Sequence, residues 1–169
     1  YGGNYYAIVD PQENYTGLLD FSADQIIRLS RVVRKRINEK YPDRFVHPEN
    51  ETIRDVSHMM WTGKPLDENS SGRNAVFYGD KAIDRSPCGT GTSARMAQLY
   101  FKGKLGIGEA FIHESYIGST FEGTIAGETR IGKTQAIVPK IKGWAKIYGE
   151  NTITIDPDDD PYAYGFQVI

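Results

Sequence analysis

The sequence predicts an α+β domain built mostly of antiparallel strands. Three observations carry that expectation: 18 glycines in 169 residues, aromatics at 12%, and one strongly marked amphipathic helix. Frequent glycine implies many turns, and aromatic-rich segments between turns favour strands. A chain of this length buries about 70% of its unfolded surface, so one packed domain needs no disulfide staples.

The first strand is expected over residues 4–9. Ser22 follows as a helix N-cap with Gln25 three residues on, and Phe21 and Ile26 occupy the two staple positions, so a helix starts at Ala23. Ile26, Leu29, Val33 and Ile37 repeat at helical spacing, while Arg28, Arg31, Lys35 and Glu39 form a solvated face. Pro42 stops the run after Tyr41. Further strands are expected over residues 52–62, 75–78, 107–113 and 121–126, with a hairpin of 143–148 and 152–155 across Gly149-Glu150-Asn151. This spacing fits consecutive hairpins better than crossover connections. Residues 65–72 are polar and short, a surface loop within the domain. Asp156-Pro157-Asp158-Asp159-Asp160-Pro161 reads as an acidic turn, because it lacks the glycine and terminal Glu of a calcium loop.

Composition narrows the function classes. Twenty Lys and Arg against 22 Asp and Glu leave a net charge of −2, with no broad cationic surface for nucleic acid or anionic lipid. Mean hydropathy is −0.49, and no apolar run approaches the ~20 residues of a membrane span. The single cysteine, Cys88, excludes an internal disulfide framework and a cysteine-rich zinc site, and it suits a reducing cytoplasm. The chain opens on Tyr1-Gly2-Gly3 with neither an initiating Met nor a signal peptide, the expectation being a piece of something longer.

The chemistry concentrates in Asp84-Arg85-Ser86-Pro87-Cys88-Gly89-Thr90-Gly91-Thr92-Ser93-Ala94, followed by a helix through Arg95, Met96, Ala97, Leu99 and Tyr100 to a stop at Gly103. Cys88 lies just before a helix N-terminus, where unpaired N–H groups and the helix dipole favour a thiolate and can hold a substrate carboxylate or phosphate. Glycines 89 and 91 let backbone approach a ligand closely. The plain alternative is a small buried hydrophobe, set against the charged and turn-forming residues around the thiol. Gly89-x-Gly91-x-x-Ala94 formally matches a dinucleotide fingerprint, but no buried apolar strand precedes it. Six residues separate Cys88 from Arg95, one too many for a tyrosine-phosphatase loop. A cysteine hydrolase would need His47, His58 or His113 as base, and all three come from distant segments.

The run from Asp84 to Ala94 resembles the second cysteine motif of the proline racemase family. Agreement extends to Tyr1-Gly2-Gly3-Asn4-Tyr5-Tyr6-Ala7-Ile8-Val9, Trp61-Thr62-Gly63-Lys64-Pro65, Asn74-Ala75-Val76-Phe77-Tyr78-Gly79-Asp80, Glu114-Ser115-Tyr116-Ile117-Gly118-Ser119 and Tyr164-Gly165-Phe166. Within the family the chain is most similar to bacterial 4-hydroxyproline epimerases. The resemblance implies a lobe like those of diaminopimelate epimerase, with strands wrapped around a central helix and the active site between two such lobes. Residues 1–155 would be the Cys88-bearing second lobe, and residues 156–169 a tail packing back on the first. The family's first cysteine, in a Cys-Gly-His motif on the other lobe, is not in this sequence.

The implied reaction is epimerisation at Cα of 4-hydroxyproline, trans-4-hydroxy-L-proline to cis-4-hydroxy-D-proline, by two opposed thiols without pyridoxal phosphate or any other cofactor. Carried over residue by residue, Cys88 is the acid/base thiol, Gly89 and Thr90 bind the substrate carboxylate through backbone N–H groups, and Asp84 pairs with the substrate ammonium. Without the family, Asp84 would be a turn or capping aspartate. Alternation over residues 52–62 puts Val56, His58 and Met60 on one face, so the imidazole points inward. An ordinary core histidine is the alternative; the resemblance implies that His58 meets the 4-hydroxyl. His47 and His113 receive no role, and three scattered histidines make no metal site.

Proline racemisation is the alternative activity. Dehydration of trans-3-hydroxyproline is a further one, disfavoured by Cys88 because family dehydratases commonly carry threonine there. A non-catalytic binding module is the reading from a different class. The partners expected are a small-molecule substrate, the other lobe, and through an exposed apolar face a second copy in a homodimer. The isolated chain is expected not to turn over substrate.

Overall fold

The computed structural model describes residues 1–166. Strand β1 (Tyr5–Val9) leads through a short 3-10 turn at Leu18–Asp20 into helix α1 (Ala23–Lys40). The helix begins where its cap dictates: Ser22 Oγ accepts from Gln25 N–H at 3.3 Å, and Ser22 N–H donates to Gln25 Oε1 at 2.9 Å. It buries Ile26 and Ser30, and Ser30 Oγ accepts a 2.8 Å bond from Trp61 Nε1.

A small hairpin, β2 (Val46–His47) and β3 (Asn50–Arg54), precedes the first central strand, β4 (Val56–Gly63). The sequence predicts one strand across this region, and the break falls at Asp55. Its φ of 64° lies in the left-handed region that aspartate tolerates better than most residues. Asn38 of α1 seals the junction, its side chain donating to Val56 O at 3.0 Å and accepting from Val56 N–H at 2.9 Å.

β4 turns back into β5 (Gly72–Tyr78), which also pairs with the two-residue β6 (Ala82–Ile83). Helix α2 (Gly89–Phe101) follows, then β7 (Ala110–Glu114), β8 (Thr120–Ile131) and β9 (Thr134–Lys142). The seven strands form one mixed sheet in the order β1-β4-β5-β7-β8-β9, with β6 beside β5. The expected α+β class and its mostly antiparallel pairing hold. The expectation of consecutive hairpins holds only in part, because β1–β4 and β5–β7 are parallel. Those two connections contain α1 and α2, and a parallel pair needs such a crossover.

Each helix covers one face of the sheet. Met59, Trp61, Ala75 and Phe77 pack with Ile26 toward α1, whereas Phe111, Ile125 and Ile137 pack with Met96 of α2. Burial on both faces explains the unbroken apolar runs Met59-Met60-Trp61 and Ala75-Val76-Phe77. It also leaves Tyr6, His58, Met60, Asn74 and His113 on the α2 side, where the site forms.

The predicted hairpin at 143–155 is not observed. Those residues form no strand, and Ile147 and Tyr148 are 94% and 89% exposed. Alternating apolar residues become a strand only beside a partner, and none of the described strands is placed beside them. The partner of β8 is instead β9, whose Pro139 lowers its strand signal and is accommodated because β9 is an edge strand. The acidic turn is present, with Asp156 Oδ1 accepting from Asp158 N–H at 3.1 Å and Asp160 Oδ1 from Tyr162 N–H at 2.8 Å.

Candidate active site

Cys88 is the N-cap of α2 and adopts φ 66°, a conformation an L-residue keeps only when its surroundings impose it. Its carbonyl accepts the first helical bond, from Thr92 N–H at 2.7 Å. Two ladders of hydrogen bonds hold it. On the loop side, Asp84 Oδ1 accepts from Ser86 N–H at 2.8 Å and Ser86 Oγ–H at 2.9 Å, and Ser86 Oγ accepts from Cys88 N–H at 3.0 Å. On the sheet side, Asn74 Nδ2 donates to Pro87 O at 2.8 Å, while Thr92 Oγ1 lies 3.4 Å from Pro87 O and 3.0 Å from His113 Nδ1.

His113 is buried and pushed down to about 3, chiefly by desolvation and then by the Arg95 charge, so it is neutral near pH 7. The Thr92 hydroxyl has one proton for two acceptors, the Pro87 carbonyl and, in the tautomer protonated at Nε2, His113 Nδ1, which also lies 3.4 Å from Asn74 Nδ2; Asn74 Oδ1 has no hydrogen-bond partner among the described residues. The strained Cys88 is therefore braced from residues on β5, β7 and α2.

The thiol meets Tyr6 from β1, whose Oη lies 3.2 Å from Cys88 Sγ and 2.7 Å from Thr90 Oγ1; Thr90 Oγ1 is itself 3.5 Å from the sulfur. The Tyr6 ring leans on His58 with centroids 4.9 Å apart, and Tyr78 stacks beyond His58 at 6.2 Å. His58 Nδ1 bonds Ser57 Oγ at 2.8 Å. Burial, reinforced by Arg34 and opposed by Asp84, lowers the His58 pKa. Tyr6 is pushed up, chiefly by burial and then by its bond to Cys88, so it stays protonated.

Among the described residues no acceptor meets the N–H groups of Gly89, Thr90 and Gly91, the usual state of a first helical turn. The glycines divide the work. A Cβ at Gly89 would meet nothing within 4 Å, whereas one at Gly91 would meet Met60 Cε at 3.0 Å and Cys88 Cβ at 3.2 Å. Gly91 makes room for the cysteine, and Gly89 leaves open space in front of the turn. Gly2 is as tightly placed, since its Cβ would sit 2.2 Å from Thr90 O.

Cys88, Thr90 and His58 thus join one cluster through Tyr6, with Asp84 acting electrostatically on both Tyr6 and His58. Asp84 has the turn role, but only Oδ1 is engaged among the described residues. Tyr6, Asn74 and His113 carried no role in the sequence. Their signal is polarity on strand faces that point toward α2. His47 lies away from the thiol, beside the Tyr1 ring at 5.1 Å and in the wall of a cavity of about 640 Å³ between β1 and β9. That cavity shares Tyr6 with the cluster but not Cys88.

A family model described as proline racemase matches residues 1–167. The chain is 62% identical over 169 residues to a 4-hydroxyproline 2-epimerase of Spirosoma linguale, covering 100% of this chain and 50% of that protein. It is 61% identical over 168 residues to a 4-hydroxyproline epimerase of Brucella ovis, covering 99% and 50%. Two crystal structures are similar at a TM-score of 0.77. One is a probable proline racemase from Agrobacterium radiobacter K84 with bound carbonate, 35% identical, with 99% of this chain and 48% of that one covered. The other is a hydroxyproline epimerase from Agrobacterium vitis with bound trans-4-hydroxy-L-proline, 30% identical, with 99% and 47% covered. The chain spans about half the length of the curated relatives it matches.

Proposed function

The chain belongs to the proline racemase family, and on that premise we propose that the protein containing it epimerises 4-hydroxyproline at Cα, with Cys88 as one of two acid/base thiols. Inversion needs one group to remove the proton from one face and another to deliver a proton to the opposite face. Cys88 serves one face and a cysteine on the other half of the protein serves the other, so no cofactor is required. In one direction the Cys88 thiolate takes the Cα proton while the opposing thiol gives its proton to the other face, leaving Cys88 as thiol and its partner as thiolate. The reverse direction exchanges the roles.

The observation that carries this reading is the position of Cys88 at the start of α2, beside N–H groups that meet no acceptor among the described residues. Proton loss from Cα places charge on the substrate carboxylate, and N–H donors fixed before the reaction stabilise it without reorganisation. Gly89 and Thr90 supply those donors, and the open space at Gly89 admits the carboxylate. The Asp84 carboxylate faces the substrate ammonium through the oxygen not engaged by Ser86. His58, neutral near pH 7, meets the 4-hydroxyl and favours hydroxyproline. Proline racemisation is the second reading, because the same thiol and N–H groups serve any cyclic amino acid of this shape.

Residues 1–155 act on this reading as the second lobe of a two-lobed enzyme, and the tail from residue 156 returns to the first lobe. Exposure of Tyr162, Tyr164 and Phe166 supports a covering partner for that tail. The chain alone does not turn over substrate. The test is the complete protein with trans-4-hydroxy-L-proline and, separately, L-proline, without added cofactor, followed by polarimetry. Inversion of hydroxyproline in clear excess over proline, lost in Cys88→Ser, is the expected result. Faster proline inversion moves the assignment to racemase, and inversion of neither overturns it.

A further inference from the structure

We propose that Tyr6 is a positioning residue for the thiol: its hydroxyl donates to Cys88 Sγ when the sulfur is a thiolate and holds the sulfur in place through Thr90. The inference rests on the epimerase reading for its consequence in catalysis, and on geometry for the contact itself. Tyr6 Oη lies 3.2 Å from Cys88 Sγ and 2.7 Å from Thr90 Oγ1, and Thr90 Oγ1 lies 3.5 Å from the sulfur, a closed triangle of three polar atoms.

The donors can be counted. A thiolate only accepts, so with Cys88 ionised the Tyr6 proton points at sulfur and the Thr90 proton points at Tyr6 Oη. Each hydroxyl then gives one bond, and the chain ends on the charge, where a donated hydrogen bond is strongest. When Cys88 is protonated, the sulfur accepts only weakly and its S–H, a weak donor, closes the triangle onto Thr90 Oγ1, so the same contacts are weaker than those to a thiolate. The triangle therefore favours the ionised sulfur. Burial and the bond to Cys88 keep the phenol protonated, so it remains a donor throughout.

Other groups around the thiol do not replace this contact. His58 of β4 faces the Tyr6 ring, and Asp84 lies in the loop before α2. Arg34 of α1 lowers the pKa of His58, and Arg95 of α2 is paired with Asp10 at 2.7 Å. Asp84 is an anion that opposes a thiolate. Among the described residues, Tyr6 and Thr90 are the side chains with a polar atom in hydrogen-bond range of the sulfur.

The test uses the complete protein and its Tyr6→Phe, Thr90→Val and Thr90→Ser variants. Iodoacetamide alkylation of the peptide bearing Cys88 is followed by mass spectrometry across pH. Tyr6→Phe keeps the ring on His58 and is expected to move the alkylation profile up by about one pH unit, a tenfold loss of thiolate at a fixed pH. Thr90→Val moves it the same way by less, and Thr90→Ser restores it. The acid limb of kcat/KM for hydroxyproline shifts with the profile. Unchanged alkylation profiles in Tyr6→Phe and Thr90→Val overturn the proposal while leaving the epimerase reading intact. Absence of hydroxyproline turnover in the unmutated protein overturns the epimerase reading, and the alkylation arm still decides the role of Tyr6.

Discussion

Asn74 and Pro87 are joined by a buried hydrogen bond, the Asn74 Nδ2 amide donating to the Pro87 carbonyl at 2.8 Å. That carbonyl belongs to the peptide just before Cys88, so a residue of β5 helps to hold the strained N-cap of α2. Removing the donor leaves a buried carbonyl with only the longer Thr92 contact. Asn74→Ala is expected to lower stability by roughly 1–3 kcal/mol. On the proposed epimerase mechanism, kcat of the complete protein should fall more than KM rises, because the bond aims the thiol and lies away from the space in front of Gly89. Thermal denaturation together with steady-state kinetics checks both parts.

Gly91 and Gly89 make opposite predictions from the same helix turn. A methyl group at Gly91 pushes on Met60 and on Cys88 itself, at 3.0 and 3.2 Å. Gly91→Ala should destabilise by about 1–3 kcal/mol, as overpacking does, and should impair Cys88 alkylation as well as turnover. Gly89→Ala meets no atom within 4 Å among the described residues, so it should leave the melting temperature nearly unchanged and, on the proposed carboxylate site, raise KM by crowding the substrate. Equal effects of the two substitutions on stability would contradict this division.

His113 predicts a pH dependence of stability. Its folded pKa, about 3, lies far below the ordinary histidine value of about 6.5 because burial disfavours the imidazolium. Between those values the unfolded chain binds the proton and the folded chain does not. Stability is therefore fully present above pH 6.5 and is lost as pH falls toward 3, by up to about 1.4 kcal/mol per pH unit. Denaturant titrations from pH 7 to 4 should show that slope, and His113→Gln should flatten it.

On the proposed function, His58 meets the 4-hydroxyl of the substrate. His58→Ala in the complete enzyme should reduce the ratio of hydroxyproline to proline kcat/KM by about tenfold, the value of one hydrogen bond near 1.4 kcal/mol. An unchanged ratio would remove His58 from substrate recognition and leave it as a ring packed on Tyr6.

Local chemistry was legible in the sequence wherever the partners were near neighbours. Ser22 and Gln25 marked the start of α1 because a capping box is closed within four residues. The Asp84 to Ala94 run placed Cys88 before a helix for the same reason. Tyr6 was not legible as a partner of Cys88, since 82 residues separate them and only the sheet brings them together. His113 and Asn74 were hidden likewise, each a polar residue whose partners come from other elements. Asp55 divided an expected strand because its backbone is left-handed there, next to Val56, whose N–H bonds Asn38 of α1 from 18 residues away. Residues 143–155 carry a strand pattern without a strand beside them among the described residues, the reverse failure, in which local preference lacks a partner there.

On the proposed mechanism one proton leaves Cα on one face and a different proton arrives on the other, with Cys88 serving one of those faces. The most direct measurement is the initial-rate reaction of the complete protein with trans-4-hydroxy-L-proline in deuterated water, reading Cα label by NMR in product and in unreacted substrate. Two opposed thiols predict product carrying solvent deuterium at Cα, little label in the remaining substrate at early times, and loss of inversion in Cys88→Ala. Product that retains the substrate proton, or inversion that survives Cys88→Ala, would rule out the two-thiol mechanism.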